Sequence, residues 1–123
     1  MNSSIYIDPN IDLQSEEYIE VIMQFKTKPA KAAVAESNSN LTLEQAKQKI
    51  DTSHALFRQE LEIYLELKQI QYFITYVYKD ALNGVCMELQ ACQIKALLQS
   101  KVIGAIYANP TIPIKPNDPM YQL

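Results

Sequence analysis

The chain has 123 residues, a formal net charge of −3, two cysteines and a single histidine. That length suits one domain, which hides roughly two thirds of its unfolded surface without a metal or disulfide staple. An acidic balance with scattered Lys and Arg argues against a nucleic-acid binder, and no run of about 18 apolar residues offers a membrane span.

Residues 1–17 are polar and carry the turn signal Asp8-Pro9-Asn10. They predict a loosely attached arm in which Ile5, Ile7 and Ile11 could add an edge strand. This stretch has neither the basic nor the apolar region of a signal peptide, so the protein is either intracellular or made with a signal since removed. Tyr18 to Phe25 then alternates: Ile19, Val21, Met23 and Phe25 share one face, Glu20 and Gln24 the other. That pattern is a half-buried strand. Residues 26–40 form a connection, with a short helical turn expected over 30–36.

Thr42-Leu43-Glu44-Gln45 fits a capping box, the Thr hydroxyl accepting from the third helical N–H while Gln reaches back. A long helix should follow. Leu43, Ala46, Ile50, Phe57, Leu61, Tyr64 and Leu65 make its apolar stripe, and it should end within 67–69. Residues 72–78 are rich in β-branched and aromatic types and predict a strand. Residues 79–81 turn the chain into a second strand over 82–89, and the two should form a hairpin. A short helix is expected over 91–100, with Ile94, Leu97 and Leu98 buried, and a last strand over 102–108.

Strand, helix, strand, strand, helix, strand is the order of an α+β, ferredoxin-like βαββαβ sandwich. Its four-stranded antiparallel sheet would carry both helices on one face. The other face would stay open, with Tyr72, Ile74, Tyr76 and Cys86 as candidates to line it. Such a face is either a partner-binding surface or a solvated sheet coated with tyrosines. From 110 to 123 the chain is an extended tail, with prolines at 110, 113, 116 and 119 that discourage helix. Taken alone, the tail fits an interdomain linker better than a segment gripped by a protease cleft.

Catalytic constellations are not legible. His54 sits one turn after Asp51 on the long helix, where a structural or surface role outweighs a catalytic one. Ser53 beside it points to a different part of the helix surface. Glu60, Glu62 and Glu66 read as solvated helix charges. Cys86 and Cys92 lack the spacing of a zinc site and fit small apolar fillers better than a disulfide. No metal, cofactor or catalytic residue is expected.

Three stretches together resemble the subtilisin-propeptide inhibitor family. They are the opening strand 18–22; the helix 54–61 led by His54; and 76–89, followed by 93–98 and 102–109. In the last, an Asn83-Gly84 turn enters an alternating strand, a short helix follows, and Val102 to Tyr107 matches the closing strand. The resemblance spans 18–114 and implies three parts: an arm (1–17), an inhibitor domain (18–109) and a tail (110–123). It further implies a non-catalytic prodomain, monomeric alone, whose partner is a cognate subtilisin-like serine endopeptidase, with neither nucleic acid nor membrane as partner. The prodomain would assist folding of that protease and then inhibit it, outside the cell. Its sheet face would dock through Tyr72, Ile74, Tyr76, Cys86 and Asn109. The tail would enter the substrate cleft, through Thr111, Ile112, Pro113 and Ile114, or through Met120, Tyr121 and Leu123 if cleavage falls at the last residue. Asn109 stands where the family commonly has an acid that caps a protease helix; Asn can cap but lacks the charge. The competing reading is a small ferredoxin-like regulatory or ligand-binding module. It is weakened because the strand–helix junction 26–42 contains no Gly. An acylphosphatase-type enzyme is disfavoured because Arg58, the one Arg, lies in the long helix.

Overall fold

A computed structural model describes residues 5–36 and 40–109. Strands β1 (Tyr6–Ile7), β2 (Tyr18–Phe25), β3 (Tyr72–Lys79), β4 (Asn83–Gln90) and β5 (Ile103–Ala108) form one sheet in the order β1-β5-β2-β4-β3. Helices α1 (Ala30–Ala35) and α2 (Leu43–Tyr64) lie between β2 and β3. The protein is α+β, as expected, but the sheet is five-stranded and mixed rather than four-stranded and antiparallel. The difference is β1, which pairs parallel to β5 while the other neighbours run antiparallel.

Residues 5–17 are tied to the sheet at several points. Asp8 N–H donates to the Ile106 carbonyl at 2.8 Å, and the Ala108 N–H donates to Asp8 Oδ2 at 3.0 Å. Further along, Cys92 N–H and Ala91 N–H donate to the carbonyls of Ser15 and Glu17. Ile5 and Ile11 are buried in the main core.

The start of α2 follows its sequence signal. Gln45 N–H donates to Thr42 Oγ1 at 3.1 Å, and Thr42 N–H donates to Gln45 Oε1 at 2.9 Å. Two of the helix's orphan donors are thereby satisfied. Its inward stripe is Ala46, Ile50, Ser53, His54, Phe57 and Leu61. Leu43, expected on that stripe, is exposed. The α-helix closes at Tyr64, and a 3-10 turn (Glu66–Lys68) leads to Gln69, whose φ of 60° is left-handed. That residue ends the helix as a left-handed cap does.

The second helical segment, Ala91–Leu97, is 3-10 rather than α. It buries Ala91, Ile94 and Leu97, a spacing of three that matches the three-residue turn of a 3-10 helix. Ile94 and Leu97, Phe57 and Leu61 of α2, and the inward side chains of β2, β4 and β5 (Val21, Met23, Phe25, Val85, Met87, Leu89, Ile103 and Ile106) make one core. Both helical segments therefore cover the same side of the sheet.

Glu60, read as a solvated charge, instead joins α2 to the turn that precedes β5. Its carboxylate accepts from Ser100 Oγ at 2.5 Å and from Lys101 N–H at 2.8 Å. Glu66 likewise accepts from the Tyr72 hydroxyl at 2.5 Å.

Gly84 is required where β4 passes β2. A Cβ there would overlap the carbonyl oxygen of Met23, which is backbone and cannot move aside. At Gly104 the nearest atom is Lys26 Cγ, at 3.3 Å, on a flexible side chain. Gly84→Ala is therefore expected to destabilise the protein by about 1–3 kcal/mol, as overpacking does. Gly104→Ala should stay close to wild type in the same urea titrations. Equal midpoints for the two variants would contradict the close approach.

Candidate functional site

Strand alternation and register decide what the uncovered face of the sheet presents. In β2 that face carries Glu20, Ile22 and Gln24, opposite Glu88, Cys86 and Gly84 of β4. In β5 it carries Tyr107, opposite Ile22, and in β1 Tyr6, whose ring lies 5.6 Å from that of Tyr107.

Strand β3 contains a bulge. Ile74 pairs with Met87, yet Tyr76 pairs with Cys86, so Thr75 and Tyr76 together oppose one residue. Tyr72 and Ile74, opposite Leu89 and Met87, consequently lie on the helix-covered side and pack against the core. Both were expected on the open face; this placement corrects that expectation. Before the bulge, Phe73 and Thr75 face outward; after it, Tyr76 and Tyr78 do. The rings of Tyr76 and Tyr78 are 4.6 Å apart. Phe73 and Tyr76 are each 60 % exposed, and Tyr107 is 37 % exposed.

Beneath these rings is a polar cluster. The Thr75 hydroxyl lies 2.9 Å from Glu20 Oε2 and 3.1 Å from the Cys86 carbonyl, so one proton is shared between two acceptors. Asn109 Nδ2 donates to Glu20 Oε1 at 2.7 Å and meets Cys86 Sγ at 3.6 Å. The Asn109 backbone N–H donates to the Glu20 carbonyl at 3.1 Å. The Thr75 hydroxyl, with smaller help from Asn109 and Cys86, holds the Glu20 carboxyl below its ordinary pKa against the opposing effect of burial. Burial pushes the Cys86 thiol up, and pushes up the Tyr78 phenol as well. On the covered side, burial and then the Glu66 hydrogen bond raise Tyr72 to about 12.

Of the expected docking residues, the structure thus brings Tyr76, Cys86 and Asn109 together and sets Tyr72 and Ile74 apart. Cys86 lies on the open side but is buried. Residues 111–114, 120, 121 and 123 lie outside the described residues. Sequence reasoning missed Phe73, Tyr78 and Tyr107 as face-lining residues. It assigned Glu20 to the correct face but gave it no role.

His54 serves the hairpin. Its Nε2 lies 2.9 Å from Asn83 Oδ1 and 3.1 Å from the Tyr78 carbonyl, so it donates to both. Asn83 Nδ2 donates in turn to the Thr27 carbonyl and to Ser53 Oγ, and Ser53 donates to the Ile50 carbonyl. The imidazole also packs edge-on against Phe25, with ring centroids 4.8 Å apart. This network joins α2, the β3–β4 turn and the segment after β2. Among the described residues, no group of three His, Cys, Asp or Glu side chains could hold a metal ion. No helix there is long and apolar enough to cross a membrane.

Residues 20–115 match the family described as Peptidase inhibitor I9. Comparisons with curated proteins and with solved structures gave no match.

Burial dominates the His54 environment and lowers its pKa, outweighing the hydrogen bonds to Asn83 and Tyr78. A depressed folded pKa means that the unfolded chain binds the proton more readily. Stability is then constant above the unfolded value near 6.5 and declines as pH falls through the window between the two pKa values. The slope contributed by this one group is at most about 1.4 kcal/mol per pH unit. Urea midpoints measured from pH 7.5 down to 5 should show the decline, and His54→Gln should flatten it. A midpoint that rises on acidification only when His54 is present would contradict the sign.

Proposed function

Because the chain belongs to the peptidase inhibitor I9 family, a family of non-catalytic inhibitory propeptides, we propose that it folds with and then inhibits a subtilisin-like serine endopeptidase, outside the cell. The observation that carries this reading is the uncovered aromatic face of the sheet. Phe73, Tyr76 and Tyr78 of β3 and Tyr107 of β5 stand on this face, and the register joins them through Ile22 of β2 and Cys86 of β4, which pair in the row Tyr107–Ile22–Cys86–Tyr76. Contiguous exposed apolar area of this kind marks interaction sites, and tyrosine-rich area is typical of them.

The four antiparallel strands with α2 and the 3-10 helix Ala91–Leu97 constitute, in this proposal, the ferredoxin-like unit. Tyr76 and Asn109 belong to the docking surface. Cys86 lies beneath them as packing, and Tyr72 and Ile74 support the face from behind. The tail 110–123 occupies the substrate cleft as an added extended strand. Docking of the sheet raises the effective concentration of the tail at the cleft, so two modest contacts combine into tight inhibition. Binding native protease but not its unfolded chain also stabilises the native form, which accounts for assisted folding.

The test is inhibition of subtilisin-type proteases by the purified chain. Micromolar chain is expected to slow hydrolysis. Deleting 110–123 should weaken inhibition about a hundredfold or more and leave the thermal midpoint unchanged. Phe73→Ala with Tyr76→Ala should weaken it independently. Full activity of every protease tested at saturating chain sinks the reading.

A further inference from the structure

The charges on the open face are of one sign. By register, its strand positions hold Tyr18, Glu20, Ile22 and Gln24; Gly84, Cys86, Glu88 and Gln90; Phe73, Thr75, Tyr76 and Tyr78; Ala105 and Tyr107; and Tyr6. Two of these are carboxylates and none is Lys or Arg. Glu20 and Glu88 are moreover direct cross-strand partners on the antiparallel β2–β4 pair. Like charges directly opposite one another are unfavourable within the isolated domain.

Among the described residues no ion pair offsets them. The ion pairs among the described residues are Lys28–Glu36 and Lys79–Asp51, and neither involves the open face. Glu20 is held ionised by neutral donors, the Thr75 hydroxyl and the Asn109 amide. A carboxylate offers about four acceptor sites, so these bonds leave room for an incoming donor. Phe73 pairs with Glu88 in register, which places an exposed ring beside the second carboxylate.

We infer that the open face selects its partner by charge as well as by shape, receiving an arginine side chain of the protease between Glu20, Glu88 and the rings of Phe73 and Tyr76. The inference rests on the docking reading above and names what the partner must present. Two adjacent carboxylates call for a full positive charge, more than the roughly half charge of a helix N-terminus. The flanking aromatic rings favour a guanidinium over an ammonium, because a planar cation both stacks on a ring and bonds carboxylates through two N–H groups.

The experiment measures inhibition constants of the full chain against a subtilisin-type protease that it inhibits, at low and high sodium chloride. Wild-type inhibition should weaken with salt. The double variant Glu20→Gln, Glu88→Gln should inhibit about tenfold or more weakly at low salt and lose most of that salt response. Its thermal midpoint should stay near that of wild type, because relief of the repulsion and loss of the charge-assisted bonds from Thr75 and Asn109 to residue 20 oppose each other; a midpoint near wild type separates lost docking from lost folding. The pair Phe73→Ala, Tyr76→Ala serves as the reference. If it weakens inhibition while the glutamine variant matches wild type at both salt levels, the charge inference is overturned and docking stands. If neither pair changes the constant, docking through this face is overturned as well.

Discussion

Side chains along a strand alternate between the two faces of a sheet, so one extra residue moves everything beyond it to the opposite side. Strand β3 contains such a residue. The bulge between Ile74 and Tyr76 allows Tyr72 and Ile74 to face the core while Tyr76 and Tyr78 face outward. Without it, Tyr76 would be pressed against the core and its hydroxyl would need a buried partner. The aromatic face, the packing of its two tyrosines and the shared Thr75 proton all depend on this irregularity.

Polar contacts hold the face in place. Glu20 and Asn109 are joined twice, through backbone and side chain, where β5 ends beside β2. At the far end of the hairpin, His54 and Asn83 tie the β3–β4 turn to α2 and to the Thr27 carbonyl. A two-stranded hairpin alone is marginal. Here it is clasped to the helix at one end and completed by the sheet along its length. The face is therefore anchored to the rest of the fold through both strands of the hairpin.

Much of this was legible in the sequence. The alternation of Ile19, Val21, Met23 and Phe25 gave the correct inner face of β2 because each is simply apolar at period two. The Thr42–Gln45 capping box identified the start of α2 because its geometry is local. What was not legible depended on tertiary pairing. A bulge leaves no mark in a run such as Tyr-Phe-Ile-Thr-Tyr-Val-Tyr, where apolar and aromatic residues occupy both phases. A two-residue strand like β1 lacks a period of its own, and Ile5, Ile7 and Ile11 in and around it fitted an arm as well as an edge. Ala91, Ile94 and Leu97 are spaced for either kind of helical turn, and the short 91–100 stretch could not decide between them. Glu60 looked solvated because its partners, Ser100 and Lys101, are remote in sequence.

Whether the proposed protease meets the bulged, aromatic face of the sheet can be read by hydrogen–deuterium exchange of the chain, free and bound to an inhibited subtilisin-type protease. Docking through this face slows exchange along β3 and β5 on binding and leaves the outer surface of α2 around Leu56 and Ile63 unchanged. Protection confined to α2, with β3 and β5 exchanging as in the free chain, would contradict it.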